Sequence, residues 1–203
     1  MNLPNKLTML RILIIPVMLV IAFVPFFNDN FIWINDTPII CLANLINLFL
    51  FIGASLTDLL DGKIARKSNS VTTFGKFADP IADKLLVLSA MIILMVQFVD
   101  TNNWWFLPAW VVIIILAREF IVSGIRLVAV EKGKVIAAGW LGKIKTSIQM
   151  SALIALFLHQ VPIFGYPIFG YIGAIGMYGA LIMTIWSGAD YFIKSKDIIL
   201  EQM

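Results

Sequence analysis

The sequence predicts an all-α integral membrane protein with six transmembrane helices and both termini in the cytoplasm. Of its 203 residues, 61% are hydrophobic and 13% are charged, and the mean hydropathy is +0.95. Soluble domains are closer to half apolar and a quarter charged, so the composition excludes an ordinary soluble protein. At roughly 20 residues per span, this length accommodates six spans with short loops. We therefore expect residues 1–203 to form a single transmembrane domain.

The helices follow from the order of apolar runs along the chain. The first run, Ile12 to Phe27, has no cleavage-site pattern after it and is interpreted as a retained first helix. The connectors at Asn28–Thr37, Asp100–Asn103 and His159–Pro167 contain neither lysine nor arginine. The predicted helices cover about 6–27, 38–66, 77–100, 105–130, 139–160 and 167–193.

Lysine and arginine are concentrated in the remaining connectors and near the two termini. Lys6 and Arg11 flank the first helix, Lys194 and Lys196 follow the last, and basic clusters separate helices two from three and four from five. Basic residues accumulate on the cytoplasmic side of short-looped membrane proteins. The pattern predicts a multi-pass protein of the cytoplasmic membrane, with membrane lipids as neighbours and no nucleic acid partner.

A stripe of glycines marks the last helix. Gly170, Gly173, Gly176 and Gly179 recur at every third position. Small residues let membrane helices approach closely, so the stripe predicts a packing face, within the chain or between two copies. A ligand contact is the alternative interpretation.

Four carboxylates interrupt the apolar sequence between helices two and three. Asp58 and Asp61 are three residues apart and Asp79 and Asp83 are four apart, so each pair shares one helix face. An antiparallel hairpin would bring the pairs together at the cytoplasmic surface. Converging carboxylates repel each other, and two divalent cations would remove that repulsion. Oxygen ligands of this kind suit Mg²⁺, Mn²⁺ or Ca²⁺.

Residues beside the carboxylates indicate what such ions would act on. Gly62 and Ala65 leave room for a ligand, and Arg66 offers donors to phosphate oxygens. Two-metal sites clamp a phosphoryl group during its transfer. One alternative is a solvated face on which the acids pair with Lys63, Arg66, Lys76 and Lys84. Another is a divalent-cation transport site, although those sites usually lie near the membrane midplane.

The spacing of these residues resembles the signature of the CDP-alcohol phosphatidyltransferase family, D-x-x-D-G-x-x-A-R, eight residues, then G-x-x-x-D-x-x-x-D. Its fixed positions are Asp58, Asp61, Gly62, Ala65, Arg66, Gly75, Asp79 and Asp83. The resemblance implies six helices, a homodimer and an active site open to the cytoplasmic leaflet. It also implies a reaction in which an acceptor hydroxyl attacks the β-phosphorus of CDP-diacylglycerol and CMP leaves.

The same resemblance implies roles for individual residues. Asp58, Asp61, Asp79 and Asp83 would bind two Mg²⁺ or Mn²⁺ ions, and Asp83 would also be the general base that takes the hydroxyl proton. The cytidine nucleotide would contact Asn5, Thr8, Gly62, Ala65, Arg66 and Gly75.

The identity of the acceptor depends on weaker motifs. Family members that use sn-glycerol 3-phosphate are similar to this sequence in the opening run from Asn2 to Arg11, the pair Arg118–Glu119, Arg126 and the segment from Gly142 to Gln149. That substrate brings its own phosphate, which requires a cationic pocket, and guanidinium groups suit phosphate. The candidates for this pocket are Arg118, Arg126, Lys143 and Lys145.

Alternatives remain for each element of the acceptor site. Arg118 lies well inside the fourth helix and is also explained by an ion pair with Glu119 or Asp190. Lys143 and Lys145 are also explained as solvated charges that set the topology. The aspartate motif itself does not separate glycerol 3-phosphate from other acceptors, such as phosphatidylglycerol, an inositol phosphate or serine.

Overall fold

The computed structural model describes the backbone of residues 3–34, 37–68, 73–99, 101–131 and 140–200. Side chains are described for residues 5–34, 37–57, 78–99, 101–126, 129, 140 and 142–193. The elements, in chain order, are α1 (Leu3–Phe23), α2 (Pro25–Asp29), β1 (Phe31–Ile34), β2 (Thr37–Cys41), α3 (Leu42–Ser68), α4 (Thr73–Val99), a 3₁₀ turn (Trp104–Phe106), α5 (Ala109–Glu131), α6 (Trp140–Phe157) and α7 (Ile168–Leu200).

The long helices α1, α3, α4, α5, α6 and α7 lie where the apolar runs predicted helices. Within the described residues, four stretches are long and apolar enough to cross a membrane: Asn5–Phe23, Ala78–Val99, Trp104–Arg126 and Ile168–Ile193. In α3 the apolar part, Leu42–Thr57, is shorter. The chain is therefore a helical, multi-pass membrane protein.

The segment between the first two long helices differs from the prediction. The first helix ends at Phe23 rather than near residue 27, and Pro25 begins the short helix α2. The strands β1 and β2 then form an antiparallel hairpin in which Ile32 lies opposite Ile40. The second long helix begins at Leu42 instead of residue 38, because the β-branched residues of Thr37–Cys41 favour a strand.

The helices pack in two groups that share one core. The helix α1 lies against both α3 and α4, whereas α7 lies along α6 and also contacts α5. Phe51, Leu94 and Leu153 are fully buried between them. Outward-facing apolar side chains, such as Ile113 and Ile175, suit contact with lipid tails.

The glycine stripe of α7 forms close contacts within the chain. A Cβ atom on Gly173 would lie 2.6 Å from Cγ of Leu156, and one on Gly176 would lie 2.8 Å from Cβ of Ala152. A Cβ atom on Gly170 would overlap the ring of Phe106. The expected packing face is thus confirmed for these three glycines, whereas Gly179 faces open space.

Candidate active site

The signature residues lie on α3 and α4, on either side of the connection from Ser68 to Thr73. The side chains of Asp79 and Asp83 are described; they lie one turn apart on α4 and are both partly exposed. The backbone of α3 carries five signature residues and α4 carries a sixth, all with side chains outside the described part of the chain: Asp58, Asp61, Gly62, Ala65 and Arg66 on α3, and Gly75 on α4.

Two side chains from α1 hold the carboxylates of α4. The hydroxyl of Thr8 donates a hydrogen bond to Oδ1 of Asp79, and Nη1 of Arg11 pairs with Oδ1 of Asp83. Thr8 and Arg11 are fully buried, whereas the side chain of Asp83 is 43% exposed. Asn5, one turn before Thr8, is also buried. The start of α1 therefore closes one side of the carboxylate site.

The described half of the site fits a divalent cation. Carboxylate oxygens are the ligands that Mg²⁺ and Mn²⁺ prefer. Hydrogen bonds from neighbouring groups commonly orient such ligands, as Thr8 and Arg11 orient Asp79 and Asp83. Among the described side chains, no group of three or more potential ligands converges. Asp58 and Asp61, which the signature pairs with these two, lie beyond that part of the structure.

A cavity of about 400 Å³ opens beside α4, between α5, α6 and α7. Its wall contains more cations than carboxylates among the described side chains. The cations are Lys84, Arg118, Arg126 and Lys143, and the acids are Glu119 and Asp190. Lys84, which directly follows Asp83 on α4, lines the cavity, so α4 contributes to both the cavity and the carboxylate site. Its charge suits an anionic ligand.

Residues of α7 orient both arginines. Nη2 of Arg118 donates to Oγ of Ser187 at 2.8 Å, and Nε of Arg126 donates to the hydroxyl of Tyr191 at 3.0 Å. The guanidinium of Arg126 also lies over the ring of Tyr191, 5.5 Å from its centroid. Ser187 and Tyr191 are one turn apart, so neighbouring turns of α7 contact both arginines, which are eight residues apart on α5.

The two predicted lysines occupy different environments. Lys143 is exposed and lines the cavity. Lys145 is 3% exposed, and its ammonium lies 2.5 Å from Oε1 of Glu119, so it is not a solvated loop charge. The same oxygen of Glu119 accepts a hydrogen bond from Nη1 of Arg118 at 3.0 Å. Arg118 therefore forms the ion pair with Glu119 that was one explanation for its position, and it also lines the cavity.

Several residues of this cavity were absent from the predicted site. Lys84 was considered only as an ion-pair partner for the aspartates, yet its ammonium donates to Oγ of Ser123 on α5. Ser187 and Tyr191 carried no sequence signal, because a serine and a tyrosine in an apolar helix are common. Glu119 could have been found from its depth in an apolar run, where a carboxylate needs a partner.

Comparison with known proteins agrees with these features. The family model for CDP-alcohol phosphatidyltransferases matches residues 1–186. The chain is 46% identical to the CDP-diacylglycerol–glycerol-3-phosphate 3-phosphatidyltransferase of Bacillus subtilis (strain 168), over 98% of this chain and 97% of that one. It is 41% identical to the Rickettsia felis protein of the same name, over 96% of each chain. A Salmonella choleraesuis protein of that name is 35% identical, over 99% of this chain and 98% of its own.

The match covers the carboxylate helices, the α1 residues that hold them and most of the cationic cavity. This chain therefore belongs to the CDP-alcohol phosphatidyltransferase family.

Proposed function

We propose that this membrane transferase moves the phosphatidyl group of CDP-diacylglycerol to sn-glycerol 3-phosphate, giving phosphatidylglycerophosphate and CMP. The names of its relatives support this reaction. The observation that carries the proposal is the cation-lined cavity beside α4, the helix of Asp83, since it suits an acceptor that already bears a phosphate.

Asp58, Asp61 and Asp79 would hold two Mg²⁺ or Mn²⁺ ions, with Asp83 at the edge of the coordination shell. The carboxylate oxygens of Asp79 and Asp83, held by α1, support this assignment. Bound there, the ions would neutralise the diphosphate and stabilise CMP as the leaving group.

Asp83 acts as the general base in this proposal. Its carboxylate takes the proton of the acceptor hydroxyl while that oxygen forms a bond to the β-phosphorus of CDP-diacylglycerol. The bond from the β-phosphorus to the bridging oxygen breaks, and CMP leaves with the electron pair. Arg11 holds the carboxylate from the protein side, while the exposed part of Asp83 remains open to substrate.

Two groups of residues bind the substrates. Asn5, Thr8, Gly62, Ala65, Arg66 and Gly75 contact the cytidine nucleotide, and the buried position of Asn5 and Thr8 beside Asp79 is consistent with that. Arg118, Arg126 and Lys143 receive the phosphate of the acceptor in the cavity. Lys145 adds positive charge from behind Glu119.

The topology proposed for this reaction has six spans, formed by α1, α3, α4, α5, α6 and α7. The termini and the active site face the cytoplasm, and the enzyme works as a homodimer of one domain in the cell membrane. The distribution of basic residues supports this orientation.

Single cysteines can test the orientation, because the chain has only Cys41, which is buried. In a Cys41→Ala background, Lys143→Cys places a single thiol on the proposed cytoplasmic side of the membrane, and Thr101→Cys places one on the outer side. In intact cells a membrane-impermeant thiol reagent should label the Thr101→Cys variant and not the Lys143→Cys variant. The reverse pattern would exclude the proposed orientation. The homodimer is tested by chemical crosslinking of the purified enzyme, which should give a product with twice the mass of one chain.

The reaction is tested by following CMP release from CDP-diacylglycerol with purified enzyme and either Mg²⁺ or Mn²⁺. Glycerol 3-phosphate should support release, and chelation of the metal should stop it. Phosphatidylglycerol, an inositol phosphate and serine serve as competing acceptors; release with one of them but none with glycerol 3-phosphate would refute the choice of acceptor. Metal flux into liposomes without CMP release would instead indicate a transporter.

Asp83→Asn tests the base. We expect kcat to fall by about 10² to 10⁴ with glycerol 3-phosphate. Full activity of this variant would exclude Asp83 from that role.

A further inference from the structure

The carboxylate of Glu119 contacts two cations, one on its own helix α5 and one on α6. Oε1 accepts hydrogen bonds from Nζ of Lys145 on α6, at 2.5 Å, and from Nη1 of Arg118 on α5, at 3.0 Å. The backbone carbonyl of Glu119 lies 3.4 Å from Nζ of Lys84 on α4. Through its carboxylate and its backbone carbonyl, Glu119 therefore contacts three cations, of which Arg118 and Lys84 line the cavity.

Lys145 depends on this contact for its burial. Its side chain is 4% exposed, and among the described residues Glu119 is the carboxylate that pairs with it. A buried ammonium without a counter-charge is costly. The pair therefore fixes α6 against α5 at the wall of the cavity.

Lys84 contacts the turn of α5 that runs from Glu119 to Ser123. Its ammonium donates to Oγ of Ser123, and that hydroxyl donates to the carbonyl oxygen of Glu119 at 2.7 Å. Because Lys84 follows Asp83, this contact joins the helix of the proposed base to the cavity of the proposed acceptor.

A carboxylate in the wall of an anion site is unexpected from charge alone. The side chain of Glu119 is 26% exposed and lines the cavity, where it would repel a phosphate. On charge alone, removing it would strengthen phosphate binding. If instead it sets the direction of the Arg118 guanidinium, removing it would weaken phosphate binding, because a phosphate site requires donors at fixed positions.

We propose that Glu119 is a positioning residue, whose carboxylate holds Arg118 in the orientation that receives the phosphate of the acceptor. This inference rests on the proposed function, since it assigns that cavity to the acceptor. Glu119 does not touch the reacting atoms, so its effect falls on acceptor binding rather than on the chemical step.

Glu119→Gln separates the two expectations, because the amide keeps the shape and removes the charge. With CMP release as the assay, KM for glycerol 3-phosphate should rise about tenfold, the scale of a hydrogen bond to a charged group. KM for CDP-diacylglycerol should stay within about twofold. Glu119→Asp keeps the charge on a shorter side chain and should recover part of the loss. Unchanged or lower KM for glycerol 3-phosphate in Glu119→Gln would overturn the proposal.

Asp29→Asn is the matched control, because it makes the same change in net charge at an exposed residue of α2. Its KM for glycerol 3-phosphate should equal that of the wild type. A tenfold rise in this control would mean that net charge alone sets KM, and would also overturn the proposal.

A second comparison allows for misfolding. Lys145→Met removes the buried ammonium, so adding Glu119→Gln to that variant leaves no unpaired charge at residue 145. The double variant should still show a KM for glycerol 3-phosphate about threefold or more above that of Lys145→Met alone, because Arg118 loses the carboxylate that orients it. Equal values would show that Glu119 serves only as a counter-ion. A wild-type enzyme inactive with glycerol 3-phosphate would instead refute the proposed function.

Discussion

Arg126 and Tyr191 contact each other in two ways: Nε of the arginine donates to the tyrosine hydroxyl at 3.0 Å, and the guanidinium lies over the ring. The hydroxyl fixes the direction of the guanidinium, while the ring supports its face. Because Tyr191 belongs to α7 and Arg126 to α5, the contact transmits the position of the last helix to the cavity.

We expect Tyr191→Phe to weaken acceptor binding while leaving the packing of the ring intact. Loss of one hydrogen bond to a charged donor should raise KM for glycerol 3-phosphate about tenfold. Tyr178→Phe is the control, because its hydroxyl donates to the carbonyl of Trp105 at 2.9 Å, nearer the other end of α7. The measurement is the rate of CMP release at varied glycerol 3-phosphate. Equal KM values in the two variants would contradict the role of Tyr191.

Gly188→Ala should disturb Arg118 directly. An added Cβ would lie 3.3 Å from Cγ of Arg118, so the arginine must shift by a few tenths of an ångström from the position that Ser187 holds. A strained side-chain torsion of this kind costs about 0.5–1.5 kcal/mol, which corresponds to a rise in KM of roughly two- to tenfold. Gly179→Ala, on the same helix with open space around it, should leave KM unchanged.

Arg11→Met should impair catalysis by removing the partner of Asp83. Groups that orient metal-binding carboxylates contribute about 10- to 100-fold to activity or to metal affinity. We therefore expect a loss of that size in kcat or in the apparent affinity for Mg²⁺. Arg11→Lys should recover part of the loss, and Lys6→Met, at an exposed position on the same helix, should be neutral. Wild-type kinetics in Arg11→Met at every Mg²⁺ concentration would show that the pair has no role in the reaction.

Gly173→Ala should destabilise the packing of α6 against α7. The added Cβ would meet Cγ of Leu156 at 2.6 Å and the backbone oxygen of Ala152 at 3.0 Å, so α6 and α7 must separate. Overpacking of this kind costs about 1–3 kcal/mol. The midpoint of thermal unfolding in detergent should fall, whereas Gly179→Ala should keep or raise it, because alanine favours a helix. An unchanged midpoint in Gly173→Ala would show that the two helices are not closely packed.

The long helices could be predicted because apolar runs and basic clusters record the environment of each segment. The hairpin of β1 and β2 could not, because both segments are short and neither has the alternation of apolar and polar residues that indicates a strand. Phe31–Ile34 therefore falls within the predicted connector, and residues 38–41 fall within the predicted second helix.

In the candidate site, too, some features could be predicted from the sequence and others could not. The aspartates were found because their spacing is local, with each pair on one helix face. The contacts of Glu119 with Lys145 and of Arg118 with Ser187 join residues 26 and 69 positions apart. The arrangement of α5, α6 and α7 creates those contacts, and a pattern within one helix does not encode that arrangement.

The pair of Arg11 and Asp83 also has a consequence for the order of synthesis. The ribosome releases Arg11 when its carboxylate partner, 72 positions later, has not yet been made. A guanidinium is costly within lipid, and a long side chain can reach the boundary with water. The contact between Arg11 and Asp83 therefore forms only after α4 has been synthesised.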